Sequence, residues 1–368
     1  MGKRVSVLEG RHVDLGAGLT DWNDMAVPWT YHTHVDEEHA AVREAAGLFD
    51  TSGNRKIHVK GKDAFDTVDY LLTRDLSKIH VGKSAYALIL NEDGGIEDDA
   101  IIYCLADDHY LLVVGSGGTA RQLEKAARGR DVSFALDDDT HLLSLQGPKA
   151  VDLLNEYTPI NLHALEYFHH VKTTVFGREA ILSRTGYSGE RGYEIFAARD
   201  LAGEIWDKIL LHGRSKGVLP CSFTCINAIR IEAGLLFYPF DMSATTTPWD
   251  VGLGWTVSTT KGDYIGKEAA LRKRGHQQIH FVGIVADHDE AVGKAIAGGE
   301  KIYAHGREAG VMTASLYSRR LKQSIGFAHI KPFAAEIGTP IVIHGPVTVT
   351  GTVARLPFYD PERTRCRA

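Results

Sequence analysis

Two apolar runs, Tyr86–Leu90 (YALIL) and Ala100–Leu105 (AIIYCL), flank the segment Asn91-Glu92-Asp93-Gly94-Gly95. Asn and Asp side chains bond their own backbone and glycine accepts positive φ, so these five residues read as a turn and the whole as a β-hairpin. A hairpin commits this part of the chain to an antiparallel sheet. Glu97, Asp98 and Asp99 follow the turn at the start of the return strand. Strand alternation sends Asp98 to the face opposite Glu97 and Asp99. An acid at the mouth of a strand, against an apolar face, can titrate or direct a reacting amine. The plainer reading is a solvated acidic tip, and this stretch alone favours it.

With 368 residues, two or three domains are expected. At 44% hydrophobic and 24% charged, the composition is that of an ordinary globular protein. A balance of 41 basic against 47 acidic residues offers no nucleic-acid surface, although local clustering leaves a polyanionic partner open. Of the four cysteines only Cys221 and Cys225 are close, and C-x-x-x-C without a second pair or nearby histidines predicts no metal site. So few cysteines in so long a chain point to a reducing compartment, and a cytoplasmic location is expected. There is no apolar leader and no apolar run of membrane-spanning length, so no membrane association is expected. Residues 1–6 formally fit a myristoylation motif, which we read as chance.

Residues 1–30 carry no clear period, and Trp22, Pro28 and Trp29 suggest an extended, packed segment. Val35–Leu48 reads as a helix capped by Thr33 or Asp36 and ended by Gly47; His32, His34 and His39 read as surface or satisfied histidines. A strand at Lys56–Lys60, a helix at Asp63–Leu72, the hairpin, a strand at Tyr110–Val114 and a helix at Thr119–Arg128 predict an α+β unit on an antiparallel sheet. A second such passage runs through strands at Leu142–Leu145, Val171–Val175, Ala180–Ser183 and Tyr193–Phe196 and helices at Leu201–Leu211 and Cys225–Ala233. The glycine-rich stretch Gly186–Gly192 leads into a strand rather than a helix, so it is a tight turn aiming Glu194, not a phosphate loop. From Gln278 onward six short strands alternate with turns, as in a small barrel or sandwich. The charged stretch Arg272–Gln277 places a boundary between a region 1–274 and a β-rich domain 275–368.

Eight collinear stretches resemble the glycine-cleavage T-protein (aminomethyltransferase) family. They are KGKDAFDTVDYLLTRDL (60–76), GKSAYALILNEDGGIEDDAIIY (82–103), LSLQGPKA (143–150), RTGYSGERGYEI (184–195), AIRIEAGLLFYPFDM (228–242), TTTPWDVGLGW (245–255), DYIGKEAAL (263–271) and RLPFYDP (355–361). The resemblance implies a three-domain cloverleaf, two interleaved α+β domains and a C-terminal β-barrel-like domain, around a central hole that holds tetrahydrofolate. It implies one-carbon transfer to that folate, from an aminomethyl group on a lipoylated carrier protein or from a small methylated substrate. By position, Asp98 matches the catalytic aspartate of GG-x-x-DD, with Asp99 on the other face as a structural residue. Glu194 matches the glutamate that reads the pterin edge, where a carboxylate accepts two bonds. Arg230 matches the arginine of R-x-E-A-G beside the folate, and Tyr86 and Tyr187 match positions lining the hole. Taken one at a time, these residues could equally be a surface acid, a partner of Glu232 and core tyrosines.

The sequence also departs from the family pattern. Thr51-Ser52-Gly53-Asn54 stands where V-S-H-M is usual, Val114-Gly115-Ser116 where V-N-S is usual, and Tyr238-Pro239-Phe240-Asp241-Met242 replaces a more polar run. These changes fall on the donor side and leave three functions open. An aminomethyltransferase of glycine cleavage ranks first, then a tetrahydrofolate-dependent demethylase of an N-, O- or S-methylated compound. The third is a non-catalytic folate-binding protein, against which Asp98 and the absence of a K-G-C-Y signature speak.

Overall fold

The computed structural model describes residues 4–115, 117–287 and 298–368. The first three residues of the formal acylation motif, and Ser116 of the V-G-S stretch, lie outside them.

The stretch before residue 30 is more ordered than its sequence suggests. A short helix, α1 (Glu9–Asp14), precedes a two-stranded hairpin, β1 (Gly18–Trp22) and β2 (Met25–Thr30). Its turn, Asn23-Asp24, has φ of 54° and 66°, which Asn and Asp tolerate better than other side chains. The next helix, α2 (Val35–Glu44), ends four residues earlier than predicted, and its cap is His34, whose Nδ1 accepts from Asp36 N. Ala46–Asp50 is instead a strand, β3, buried at every position between two neighbours. Burial on both faces hides the alternation that marks a strand.

Two sheets form the body. One has the order β5-β6-β7-β4-β8: β4 (Arg55–Lys60), β5 (Ser84–Leu90), β6 (Ile96–Ala106), β7 (His109–Val114) and β8 (Ser133–Leu136). Helices α3 (Ala64–Leu71) and α4 (Thr119–Ala126) cover one of its faces through Ile57, Val68, Leu71, Ile89, Ile102, Leu112 and Leu123. The other sheet has the order β10-β11-β12-β9-β3-β13: β9 (Thr140–Gln146), β10 (His170–Val175), β11 (Arg178–Ser183), β12 (Gly192–Ala198) and β13 (Val218–Pro220). It is covered by α5 (Ala150–Asn155) and α6 (Arg199–Gly213), with Trp206 fully buried. The uncovered faces meet: Tyr103, Leu105, Leu111 and Val113 pack on Leu142 and Phe196. α7 (Phe223–Glu232) and a long connection lead to α8 (Lys267–Lys273). Strands β14 (His280–Ala286), β15 (Lys301–Ala304), β16 (Arg307–Ser318), β17 (Gln323–Ile330), β18 (Pro340–His344) and β19 (Thr348–Ala354) then close into a six-stranded barrel. No helix of the described residues is long and apolar enough to cross a membrane.

Candidate functional site

The hairpin turn is built as its residues dictate. Asn91 Oδ1 accepts from Asp93 N at 3.1 Å and Gly95 N at 2.9 Å, and its Nδ2 donates to Ala244 O at 2.9 Å. A Cβ on Gly94 would lie 2.4 Å from Ala270 N, and one on Gly95 1.9 Å from Ala244 O, so both glycines are required by close backbone approach. Just past the turn the register slips: Leu90 pairs with Ile96 but Ile89 pairs with Asp98. Glu97 is the extra residue of a β-bulge.

The bulge decides which acid faces the interior of the protein. Asp99 pairs with Leu88 and Asp98 with Ile89, so Asp98 sits on the helix-covered face. Asp98 is 0% exposed, and its carboxylate is consumed. Oδ2 accepts from Thr119 Oγ1 at 2.6 Å and Gly117 N at 3.1 Å, and Oδ1 accepts from Asp99 N at 3.0 Å. Burial and the neighbouring Asp99 push Asp98 up to about 7, against those three donors. The two acids lie on opposite faces, and the bulge puts Asp99, not Asp98, on the face of Tyr86 and Tyr103.

Asp99 is only half-buried, and Tyr86 donates its hydroxyl to Asp99 Oδ2 at 3.0 Å. Burial pushes Asp99 up to about 6, with the Tyr86 bond pulling the other way. Tyr86, Leu236, Tyr238 and Trp249 each pack against the buried cluster that includes Leu88, Leu90 and Met242, and the Tyr86 ring stacks on Trp255 at 6.1 Å. Tyr187 donates to Leu236 O and is close enough to raise the Tyr86 phenol further. Three of the expected residues or their immediate neighbours, Tyr86, Asp99 and Tyr187, thus share one wall.

Glu194 lies on the opposing sheet, with Ser144 and Ser183 beside it in register. Its Oε2 accepts from Thr185 Oγ1 at 2.5 Å and Tyr103 OH at 3.1 Å, while Oε1 has no donor among the described residues. Burial raises its pKa, partly offset by those two bonds. Tyr103 stands on the same face of β6 as Asp99, four residues on, which is about 13 Å along a strand. Asp99 and Glu194 therefore look into the same space between the sheets.

Arg230 is held in an ion pair near Tyr187, where its charge works against the rise that burial gives the Tyr187 phenol. Buried at 3% exposure, it pairs with Asp241, donates Nε to Asn227 Oδ1 at 2.9 Å and lies over Phe237 and Phe327. Asp241 also accepts from Phe237 N at 3.0 Å and Thr313 Oγ1 at 2.5 Å. The arginine clamps the 235–241 loop to the barrel, and its expected partner Glu232 is held instead by Arg43, His39 and Ser318.

The thiols of Cys221 and Cys225 and the Glu38 carboxylate lie within 4.8 Å of one another, a proximity invisible in the sequence. Glu38 Oε2 accepts Ser222 N at 2.8 Å and Ser222 Oγ at 2.7 Å, which makes it a cap for the start of α7.

The sequence model of the GCVT N-terminal domain matches residues 8–261, and that of the glycine cleavage T-protein C-terminal barrel domain matches residues 280–360. The chain belongs to the glycine cleavage T-protein family. It is 41% identical, over 98% of its length and 97% of the relative's, to the heme-dependent oxidative N-demethylase gamma subunit of Ectopseudomonas mendocina (strain ymp). It is 34% identical, over 96% of its length and 98% of the relative's, to an aminomethyltransferase of Chloroherpeton thalassium. Its fold matches the crystal structure of glycine cleavage system aminomethyltransferase T from Bartonella henselae with a TM-score of 0.89 at 27% identity, covering 98% of this chain and 99% of that one. The α+β architecture with a closed six-stranded C-terminal barrel is that of this T-protein fold.

Proposed function

We propose that this T-protein family member is a tetrahydrofolate-dependent one-carbon transferase whose carbon comes from an amine nitrogen. The observation that carries this is the placement of two half-buried carboxylates on facing sheets, Glu194 bonded to Tyr103 and Asp99 four residues back on the same face of β6, about 13 Å along the strand. A reduced folate fits these residues: Glu194 keeps Oε1 for the N–H edge of a pterin. Tyr86 and Tyr187 supply aromatic walls. When bound, reduced folate would supply two neighbouring nitrogens, one in the reduced ring and one just outside it, to take up a carbon from a CH2=N+ unit, giving methylene-tetrahydrofolate, the free amine and one proton. Asp99 stabilises the cationic carbon and holds the proton released from nitrogen, while Tyr86 fixes the carboxylate's orientation. Arg230 acts through the 235–241 loop rather than on the ligand.

For the donor we rank the iminium left when a partner oxidase takes two electrons from a small methylated amine ahead of the glycine-cleavage donor. The N-demethylase gamma subunit is more similar to this chain, at 41% identity, than the Chloroherpeton thalassium aminomethyltransferase, at 34%. The donor side carries Gly53-Asn54 and Gly115 in place of larger family residues. The second reading, an aminomethyl group on a lipoylated carrier, is favoured by the full-length match to the Bartonella henselae enzyme. The experiment offers the full chain tetrahydrofolate with either dimethylamine plus formaldehyde or aminomethylated lipoyl carrier protein. Methylene-tetrahydrofolate formation is read above the uncatalysed background. Acceleration with the amine and none with the carrier supports the first reading, the reverse supports the second, and acceleration with neither overturns both.

A further inference from the structure

Resting on that reading, we propose that the tip of the β1–β2 hairpin, Trp22-Asn23, walls the donor side of the Asp99 chamber and selects a small methylated ammonium or iminium cation. Four observations place it there. Asn23 Nδ2 donates to Gly115 O at 3.0 Å and to Gly53 O at 3.2 Å, tying the hairpin to both donor-side glycines. A Cβ on Gly115 would stand 4.0 Å from Asp99 Oδ1 and 3.5 Å from Asp98 Oδ1, so the glycine leaves the space beside the Asp99 carboxylate open. The Trp22 and Phe237 rings lie 5.2 Å apart, and the adjacent Tyr238 phenol, raised first by burial, is also near enough to feel the acids of the hairpin, Glu97 and Asp98 ahead of Asp99. Finally, a Cβ on Gly53 would meet Trp22 Cδ1 at 2.8 Å and Trp22 O at 3.2 Å. Trp22 occupies the volume that any side chain at residue 53 would need.

The tip is held rigidly. Arg4 donates from Nη1 to Asn23 O at 3.1 Å and to Gly53 O at 2.9 Å, and its backbone N–H bonds Asp24 O at 2.8 Å. Buried Lys56 donates to Ser52 O and Asn54 O, each at 2.9 Å. Trp22 Nε1 in turn donates to Asn54 Oδ1 at 3.3 Å. Cations behind the 51–54 loop thus fix its carbonyls away from the chamber. In this assignment a donor meets the aromatic set Trp22, Phe237 and Tyr238 beside the hairpin carboxylates. Aromatic faces around a carboxylate attract a compact organic cation and reject an anionic or neutral polar one.

The test is calorimetric binding of dimethylammonium and tetraethylammonium chloride to the full chain, with tetrahydrofolate binding measured on each variant. Wild type is expected to bind the smaller cation and discriminate against the larger. Trp22→Ala should weaken dimethylammonium binding by about fivefold to thirtyfold, the range expected for one aromatic face, and narrow the discrimination. Trp22→Phe should recover most of the affinity, and folate affinity should stay within about twofold in both. Wild-type behaviour in Trp22→Ala, no cation binding by wild type, or a parallel loss of folate affinity in Trp22→Ala would each overturn the assignment. Absence of folate binding by wild type itself would instead count against the one-carbon reading, since cation selectivity is scored separately.

Discussion

Tyr86 hydroxyl donates to Asp99 Oδ2 at 3.0 Å, across strands whose register carries one extra residue. Without the bulge at Glu97, Leu90–Ile96 pairing would extend to Leu88–Asp98, and Asp98 would lie on the Tyr86 face. The single slip moves every later side chain to the other side of the sheet. The acid on the Tyr86 face is thereby Asp99, and Asp98 becomes a buried anchor for the start of α4.

The raised pKa of Asp99 sets a pH dependence. A carboxyl whose folded pKa lies above its unfolded value binds more protons when folded, so stability falls as pH rises from about 4 through 6 and is flat above. Asp99→Asn should remove part of this decline: its denaturation midpoint should exceed wild type at pH 8 and match it near pH 4. Urea titrations at the two pH values check this. Activity should have an acid limb near pH 6, since the ionised form stabilises the cationic carbon.

Asp98→Asn should act on stability. An amide in place of the carboxylate turns a donor toward Gly117 N or Asp99 N, both of which already donate. Leaving such a buried group mispaired costs about 1–3 kcal/mol. The unfolding free energy from urea titration should fall by that amount, with turnover of the folded fraction within about tenfold of wild type.

Glu194→Gln should weaken tetrahydrofolate binding by about one to two decades, because it replaces charge-assisted bonds to the pterin edge. Turnover at saturating folate should change little. Calorimetry with the reduced folate measures the first and initial rates the second.

Arg230→Ala should destabilise rather than disable. It leaves Asp241 as a buried, unpaired charge at 0% exposure, and breaking a buried pair costs about 3–5 kcal/mol. The double variant Arg230→Ala, Asp241→Ala should cost less than the sum of the two single changes. Additive losses in a urea double-mutant cycle would show that the pair is not coupled.

Much of this was legible in the sequence. Turn chemistry at Asn91–Gly95, helical spacing at Ala64–Leu71 and recurrent short strands after His280 are local signals, and they placed the sheet, the helices and the barrel. Three things were not local. The helix expected over Val35–Leu48 overlaps the strand Ala46–Asp50 at three residues, because a strand buried on both faces shows no alternation. The β1–β2 hairpin was missed because Asn23-Asp24 is a weaker turn signal than Asn-Gly and its strands are stabilised largely by what they pack against. Asp99 was missed because a bulge leaves no composition mark. The available signal was Tyr86: a hairpin acid beside it on either register narrows the choice to two residues, and only the pairing decides. Arg230 was assigned by position in a motif, while its salt-bridge partner Asp241 lies eleven residues away on a loop whose course no periodicity predicts.

The most direct measurement is the initial rate of methylene-tetrahydrofolate formation by wild type, Asp99→Asn and Asp98→Asn at saturating folate and donor, above the uncatalysed background. Charge and proton handling by one group is typically worth about 10²–10⁴-fold. Asp99→Asn should lose turnover of that order with folate affinity nearly intact, while correctly folded Asp98→Asn stays within about tenfold of wild type. Near-normal turnover in Asp99→Asn, or the large loss appearing in Asp98→Asn instead, would contradict the assignment of Asp99 as the acting carboxylate.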